Sequence, residues 1–325
     1  MKARIHAPTP ASLRRLADIL RRGGLVAIPT ETVYGLAAHA LDARACRAIF
    51  RAKGRPANDP LIVHVTDLAH AEQLAEFNDA ARRLARAFWP GPLTLVLPRK
   101  ACVPGIVTSG GPTVALRSPA HPLARRLLQL AGIPLAAPSA NPFSYISPTS
   151  AAHVRQGLGT RIGHILDGGD CPIGVESTVL DVTAPGRPRI LRPGSITADQ
   201  LARVLRAKVT TMRRAGRRGS RLLAPGLLDK HYSPRTPLRL SARPGAARPG
   251  TAVILLRKPA KKAPAGTYWL SRRGVLSEIA RALYRVLREA DAGGYRQIVI
   301  EKLPPTAGGL AAAINDRLKR AAARR

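Results

Sequence analysis

Short apolar runs of strand length, separated by stretches with helical spacing, fill the first two hundred residues and leave few folds open. Such runs must pair into a sheet, and the amphipathic stretches between them must cover it. Thr9 reads as a helix cap with Pro10 at the first helical position. Leu13, Leu16, Ile19 and Leu20 form one face of that helix, and Gly23-Gly24 ends it. Leu25 to Ile28 reads as a strand. Val33 to Ala38 continues extended after a polar turn at Thr30-Glu31-Thr32, and a helix is expected from about Ala43 to Arg51. Further strands are expected at 61–65, 93–97, 113–117, 134–137, 164–166, 177–182 and 189–191. Two helices within 67–88, broken at Asn78, and one over 122–130 lie between them. Thr197 and Gln200 form a capping box for a helix reaching Leu205. The pattern predicts an α/β domain with one large twisted sheet. Alternation of strand and helix is lost after Pro90, so the sheet is expected to be mixed rather than wholly parallel.

The composition then shifts. Between Arg206 and Arg221 there are seven Lys or Arg and no acid, interrupted by Gly216 and Gly219, which reads as a linker. Strands at 251–256, 268–270 and 297–300, with helices at about 277–290 and 309–322, predict a small Rossmann-like α/β unit. It has no G-x-G-x-x-G, so a dinucleotide is not required. The expected organisation is a first domain over 1–207, a linker over 208–236 that folds over the active site, and a C-terminal domain over 237–325.

Charge narrows the partners. Lys and Arg number 53 against 19 Asp and Glu, a formal net charge of +34. Polyanions, nucleic acid first, are the natural partners, although an Ala- and Arg-rich codon bias would give the same excess. Aromatics make up only 4%, which argues against stacking platforms for single strands. The three cysteines, Cys46, Cys102 and Cys171, form no C-x-x-C, which argues against a disulfide framework or a zinc site. No signal-like leader and no apolar run of the roughly 18 residues a span needs is present, so a cytoplasmic protein without membrane contact is expected.

Several short segments could carry chemistry. Lys53-Gly54-Arg55-Pro56 precedes the apolar Pro60-Leu61-Ile62-Val63-His64, and Ser139-Ala140-Asn141 follows another apolar run. Cations beside a loop, with small hydroxyl and amide side chains, suit a polyphosphate. No G-x-x-x-x-G-K-[ST] occurs, so any nucleotide would need another cradle. In isolation each piece has a plainer reading. Lys53 and Arg55 read as solvated charge. The Thr30–Thr32 segment reads as a turn and Thr149 as a helix cap. His64 shares a face with Ile62 and could be a satisfied core histidine. Arg117, at a strand end, could fork a carboxylate or make a surface ion pair. No G-x-S-x-G, H-E-x-x-H or clustered His/Cys set occurs, so the site reads as one of binding and charge stabilisation rather than covalent catalysis.

Taken in order, these segments resemble the YrdC family in its longer two-domain form, the L-threonylcarbamoyl-AMP synthases. The matching pieces are Pro-Thr-Glu-Thr-Val-Tyr-Gly-Leu at 29–36, Lys-Gly-Arg-Pro at 53–56, Pro-Leu-Ile-Val-His at 60–64 and Trp-Pro-Gly-Pro-Leu-Thr at 89–94. Thr-Val-Ala-Leu-Arg at 113–117, Pro-Ser-Ala-Asn at 138–141, Ile-Ser-Pro-Thr at 146–149, Gly-Val-Glu-Ser-Thr-Val-Leu-Asp at 174–181 and Leu-Arg-Pro-Gly at 191–194 follow. The tail adds Ala-Pro-Gly at 224–226, His-Tyr-Ser-Pro at 231–234 and Gly-Leu-Ala-Ala-Ala-Ile-Asn-Asp-Arg-Leu at 309–318. Each piece is modest; their ordered set is specific.

The resemblance implies a reaction in which L-threonine, bicarbonate and ATP give threonylcarbamoyl-AMP, pyrophosphate and water. The product supplies threonylcarbamoyladenosine beside the tRNA anticodon. It implies that Thr32, His64, Arg117, Ala137 and Ser177 hold threonine. Lys53, Arg55, Asp59, Thr113, Ser139, Asn141, Ser147, Arg192 and Tyr232 would surround ATP, with Lys53, Arg55, Ser139 and Asn141 carrying catalysis. Mg²⁺ would arrive with ATP, with no protein metal ligand assigned, and tRNA or double-stranded RNA and the downstream transfer machinery are further partners. Three features depart from the family pattern. Asp59 stands where Asn or His is expected, Phe143-Ser144-Tyr145 is bulkier than usual, and Leu227-Leu228-Asp229 replaces a more basic stretch. The basic insertion 213–221 has no family role. Two alternatives are an RNA-binding protein of this fold without synthase activity, and a carbamoyl-transfer enzyme of the hydrogenase-maturation type. The latter carries zinc-finger cysteines and an acylphosphatase-like part, and this chain shows neither pattern.

Overall fold

Local capping decides where the helices of the first domain begin. In the computed structural model, which describes residues 2–212, 231–304 and 308–323, the Thr9 side chain accepts from the Ser12 amide and opens α1 (Pro10–Arg21). Asp42, Asp67 and Asn78 do the same for α2 (Ala43–Lys53), α3 (Leu68–Glu72) and α4 (Asp79–Phe88). His121 opens α5 (Pro122–Ala131), and the helix that follows is α6 (Ala151–Leu158). Ser150, not Thr149, caps α6. The Thr197–Gln200 capping box starts α7 (Ala198–Leu205). The C-terminal domain adds α8 (Leu276–Ala292) and α9 (Gly309–Ala321).

The first domain's strands are β1 (Arg4–His6), β2 (Val26–Ile28), β3 (Gly35–His39), β4 (Ile62–His64), β5 (Leu93–Pro98) and β6 (Thr113–Arg117). They continue as β7 (Leu135–Ala136), β8 (His164–Leu166), β9 (Thr178–Asp181), β10 (Arg189–Arg192) and β11 (Thr210–Thr211). Among the described residues they form one sheet in the order β1-β8-β2-β3-β7-β4-β6-β5-β9-β10-β11. Parallel pairs such as β4–β6 and β5–β9 sit beside antiparallel ones such as β4–β7 and β9–β10, so the sheet is mixed. A second sheet joins β12 (Leu238–Ser241), β13 (Thr251–Arg257), β14 (Thr267–Ser271) and β15 (Gln297–Glu301), all parallel, in the order β12-β15-β13-β14.

Three elements were not foreseen, β1, β11 and β12, and α6 was anticipated only as the helix Thr149 would cap. β1 has only three residues, two of them polar, and becomes a strand because β8 offers a free edge. α6 is short and carries Gly157, which weakens any helical signal from the sequence. The basic run 213–221 and the sequences at 224–229 lie outside the described residues.

Helices cover both faces of the large sheet. α1 and α5 pack Leu13, Leu16, Leu20, Leu127 and Leu128 on one side. α2, α4, α6 and α7 bury Ile49, Leu84, Val154 and Leu201 on the other. The core of the C-terminal domain does not stop at its own boundary. It takes in Val33, Ile146 and Val175 of the first domain, together with Tyr232. Among the described residues no helix is long and apolar enough to cross a membrane.

Candidate active site

Strand pairing draws distant segments together. In the parallel pair β4–β6, His64 lies opposite Arg117. In β5–β9, Leu93 lies opposite Thr178, and the hydroxyls of Thr94 and Ser177 meet at 2.8 Å. Gly35 bridges to Ser139, and the Ala137 amide donates to the Ile62 carbonyl. The outcome is a cavity walled by Thr32, Arg55, Ile62, His64, Arg117, Ala137, Ser139, Glu176, Ser177, Arg192, His231 and Tyr232, among others. Ile62 and His64 face it together, as the two-residue period of a strand requires.

Thr32, His64, Arg117, Ala137 and Ser177 all reach this cavity. Thr30 and Thr32 do form a turn: their hydroxyls lie 2.8 Å apart, and Thr30 donates to the Val33 carbonyl at 2.6 Å. The turn and the site are the same object, since that closure aims Thr32 inward. Arg117 is buried and firmly held. Its Nη1 donates to Thr32 Oγ1 at 3.0 Å, its Nε to the Gly91 carbonyl at 3.2 Å, and its Nη2 lies 2.7 Å from Glu31 Oε1. Burial alone would raise the Glu31 carboxyl, but Arg117 overrides it and holds the group below its ordinary range. Burial, helped by Arg117, pushes His64 down to about 3, so it is a neutral imidazole at pH 7.

Arg55, Ser139, Arg192 and Tyr232 line the same cavity. Lys53, Asp59, Asn141 and Ser147 are buried behind it. Thr113 sits at the opposite end of β6 from Arg117. Lys53 is not solvated charge. Its Nζ donates to the carbonyls of Ser139 and Asn141, both at 2.5 Å, and so shapes that loop from behind. Burial pushes its ammonium well below the ordinary lysine value, with Arg55 adding to the effect. Arg55 donates to the carbonyls of Asp59 and Pro60 and pairs with the Asp59 carboxylate at 2.9 Å. Arg192 donates to the carbonyl and the hydroxyl of Ser177. Gly194 permits that approach, because a Cβ there would lie 2.3 Å from the Thr178 amide nitrogen and 2.6 Å from the Ser177 carbonyl carbon.

Several buried polar atoms around the cavity lack a protein hydrogen-bond partner: His64 Nδ1, Asn141 Oδ1, His231 Nδ1 and the Tyr232 hydroxyl. Buried polar atoms are normally satisfied, so this cluster fits a site whose ligand completes it.

Glu31, Glu176, His231, Tyr284 and Arg317 were assigned no role from sequence. Glu176 is buried and accepts from Ser147 at 2.6 Å, from Tyr284 at 2.9 and 3.2 Å, and from Arg317 at 2.8 Å. Burial would raise its pKa, but Arg317 and Arg192 hold it down at about 2. One signal for Arg317 was legible. It falls at the apolar spacing of α9, among Ala313, Ile314, Leu318 and Ala321, where a charge needs a buried partner.

A family model described as telomere recombination (Sua5, YciO, YrdC) matches residues 18–194, and one described as threonylcarbamoyl-AMP synthase, C-terminal domain, matches 196–323. The threonylcarbamoyl-AMP synthase of Pyrococcus abyssi is 40% identical over 95% of this chain and 93% of that protein. The Bacillus subtilis one is 39% identical over 95% and 92%. The crystal structure of P. abyssi Sua5 complexed with L-threonine matches with a TM-score of 0.89 and 37% identity, covering 98% of each chain. The family signal thus runs through both domains, and the chain belongs to the Sua5/YciO/YrdC family in its two-domain form.

Proposed function

We infer that this chain is a threonylcarbamoyl-AMP synthase, joining L-threonine, bicarbonate and ATP with release of pyrophosphate and water. The observation that carries the reading is the shared cavity. One part presents Thr32, His64, Arg117, Ala137 and Ser177, suited to a small amino acid; another presents Arg55, Ser139, Arg192 and Tyr232, suited to a nucleotide. Both substrates would lie within reacting distance, which is the principal requirement when neither needs a protein nucleophile.

The threonine amine captures bicarbonate, water leaves, and a carbamate oxygen attacks the α-phosphorus as pyrophosphate departs. Arg117 orients the threonine carboxylate through its planar fork. Arg55 and Arg192 offset charge on the transferring phosphoryl group. Lys53 acts on ATP through the Ser139–Asn141 loop and Ser147 through Glu176, whereas Thr113, at the other end of β6 from Arg117, is outside the cavity lining. Mg²⁺ belongs to the ATP substrate. Its ligands would be phosphate oxygens and water, as is usual for Mg²⁺ bound with a nucleotide. Asp59 pairs with the Arg55 guanidinium at 2.9 Å. A cytoplasmic location and delivery of the product to tRNA modification complete the proposal. Direct RNA contact is supported by the net charge of +34 and would show as steep salt dependence of binding.

The test is pyrophosphate release from ATP with and without threonine and bicarbonate. Release that requires both supports the reading; release indifferent to threonine overturns it. Unchanged release by a Lys53→Ala/Arg55→Ala variant would overturn the ATP-site assignment.

A further inference from the structure

Neither Arg317 nor Tyr284 lines the cavity, yet both reach its walls from the C-terminal domain. Arg317, on α9, is 0% exposed. Its Nε donates to Glu176 Oε2 at 2.8 Å and its Nη2 to the Glu176 carbonyl at 3.3 Å. Its Nη1 donates to the Pro193 carbonyl at 2.6 Å and to Asp316 at 3.1 Å. The guanidinium carbon lies 5.5 Å from the centre of the Tyr232 ring. Tyr284, on α8, donates its hydroxyl to Glu176 and stacks its ring on Tyr232 at 5.8 Å and 26°.

Three wall segments therefore meet on this pair of residues. Glu176 precedes Ser177, Pro193 follows Arg192, and Tyr232 closes the cavity from the linker side. Tyr232 is held at φ +63, a conformation a non-glycine residue adopts only when its surroundings impose it. The seam around it is tight. Gly174 sits at φ +82, and a Cβ there would lie 2.5 Å from the Ala280 carbonyl oxygen and the Arg281 Cα of α8. Sliding of the C-terminal domain would carry all three walls with it, because packed interfaces do not deform continuously.

We propose that Arg317 and Tyr284 are positioning residues that clamp Glu176 and thereby let the C-terminal domain set the shape of the substrate cavity. The inference rests on the synthase reading above. A lysine at 317 would keep a positive charge near Glu176 but could not reach Glu176, Pro193 and the Tyr232 ring together, because that requires the guanidinium fork. A phenylalanine at 284 would keep the ring stack and remove only the hydroxyl that holds Glu176.

The experiment measures pyrophosphate release by the full chain and by Arg317→Lys and Tyr284→Phe, with ATP and threonine varied separately and thermal unfolding followed in parallel. Arg317→Lys is expected to raise KM for both substrates about tenfold with a smaller change in kcat. Tyr284→Phe is expected to raise KM for threonine about threefold while its unfolding midpoint stays within about 2 °C of the parent. If Arg317→Lys fails to fold, Tyr284→Phe decides. KM values unchanged in folded variants overturn the clamp, as does a loss confined to kcat. A parent protein that releases no threonine-dependent pyrophosphate overturns the functional reading instead, and is told apart because it fails before any substitution is made.

Discussion

The Arg55 guanidinium lies 2.9 Å from the Asp59 carboxylate, and both side chains are out of solvent. Asp59 therefore spends its charge on the cation beside it. Burial pushes the Asp59 carboxyl up, against the pull of Arg55, Lys53 and Arg192. Asp59→Asn should release Arg55 toward phosphate and lower KM for ATP a few-fold. It should also lose about 1–3 kcal/mol of stability, because a buried charged contact is weakened. Steady-state kinetics with urea denaturation check both arms.

Arg117 bonds to Thr32 and Gly91 and pairs with Glu31 from within the cavity wall. Arg117→Lys should raise KM for threonine more than about tenfold, since an ammonium cannot present a planar fork to a carboxylate. Arg117→Ala should go further and destabilise the fold by about 3–5 kcal/mol, because it strands Glu31 as an unpaired buried charge. Calorimetric titration with L-threonine and thermal melts separate the two effects.

His64 is depressed from 6.5 to about 3 by burial and by Arg117. The unfolded chain therefore binds more protons than the folded one between those values. The neutral His64 contributes stability that is fully present above pH 6.5 and is lost as pH falls toward 3, with a slope of up to about 1.4 kcal/mol per pH unit. His64→Gln should reduce the pH dependence of unfolding between pH 6.5 and 4.5 by up to that slope, with His153 and His231, also depressed by burial, carrying the remainder. Glu176, held at about 2, acts only below its ordinary 4.5, so the two windows are separable by urea melts at stepped pH.

Gly194 carries the chain against the backbone of Ser177 and Thr178. Gly194→Ala must push β10 and β9 apart. It should destabilise the protein by about 1–3 kcal/mol and raise KM for ATP by displacing Arg192, whereas Gly245→Ala, at a position where no atom lies within 4 Å of the added Cβ, should leave both KM and stability nearly unchanged. Chemical denaturation and initial rates check it.

Much of the site was legible because its residues sit in compact local motifs. Thr9 and Thr197 marked helix starts through side-chain caps that need only a few neighbouring residues. The two-residue period placed Ile62 and His64 on one face before any partner strand was known. Lys53 was misread in isolation as solvated, because nothing near it in sequence shows that the Ser139 and Asn141 carbonyls will arrive above it. The short strands β1 and β12 escaped notice since each is made by the edge it joins rather than by its own composition.

By itself the sequence determined an α/β chain, the starts of its helices, a strongly basic surface and an ordered set of motifs carrying the cavity residues. Those features depend on local propensity and on period. Only the tertiary structure decided that Arg55 answers to Asp59, that Arg117 answers to Glu31, and that Arg317 reaches back 141 residues to hold Glu176. Burial makes each of these charges need a partner, and which partner is available depends on how the sheet and the two domains pack.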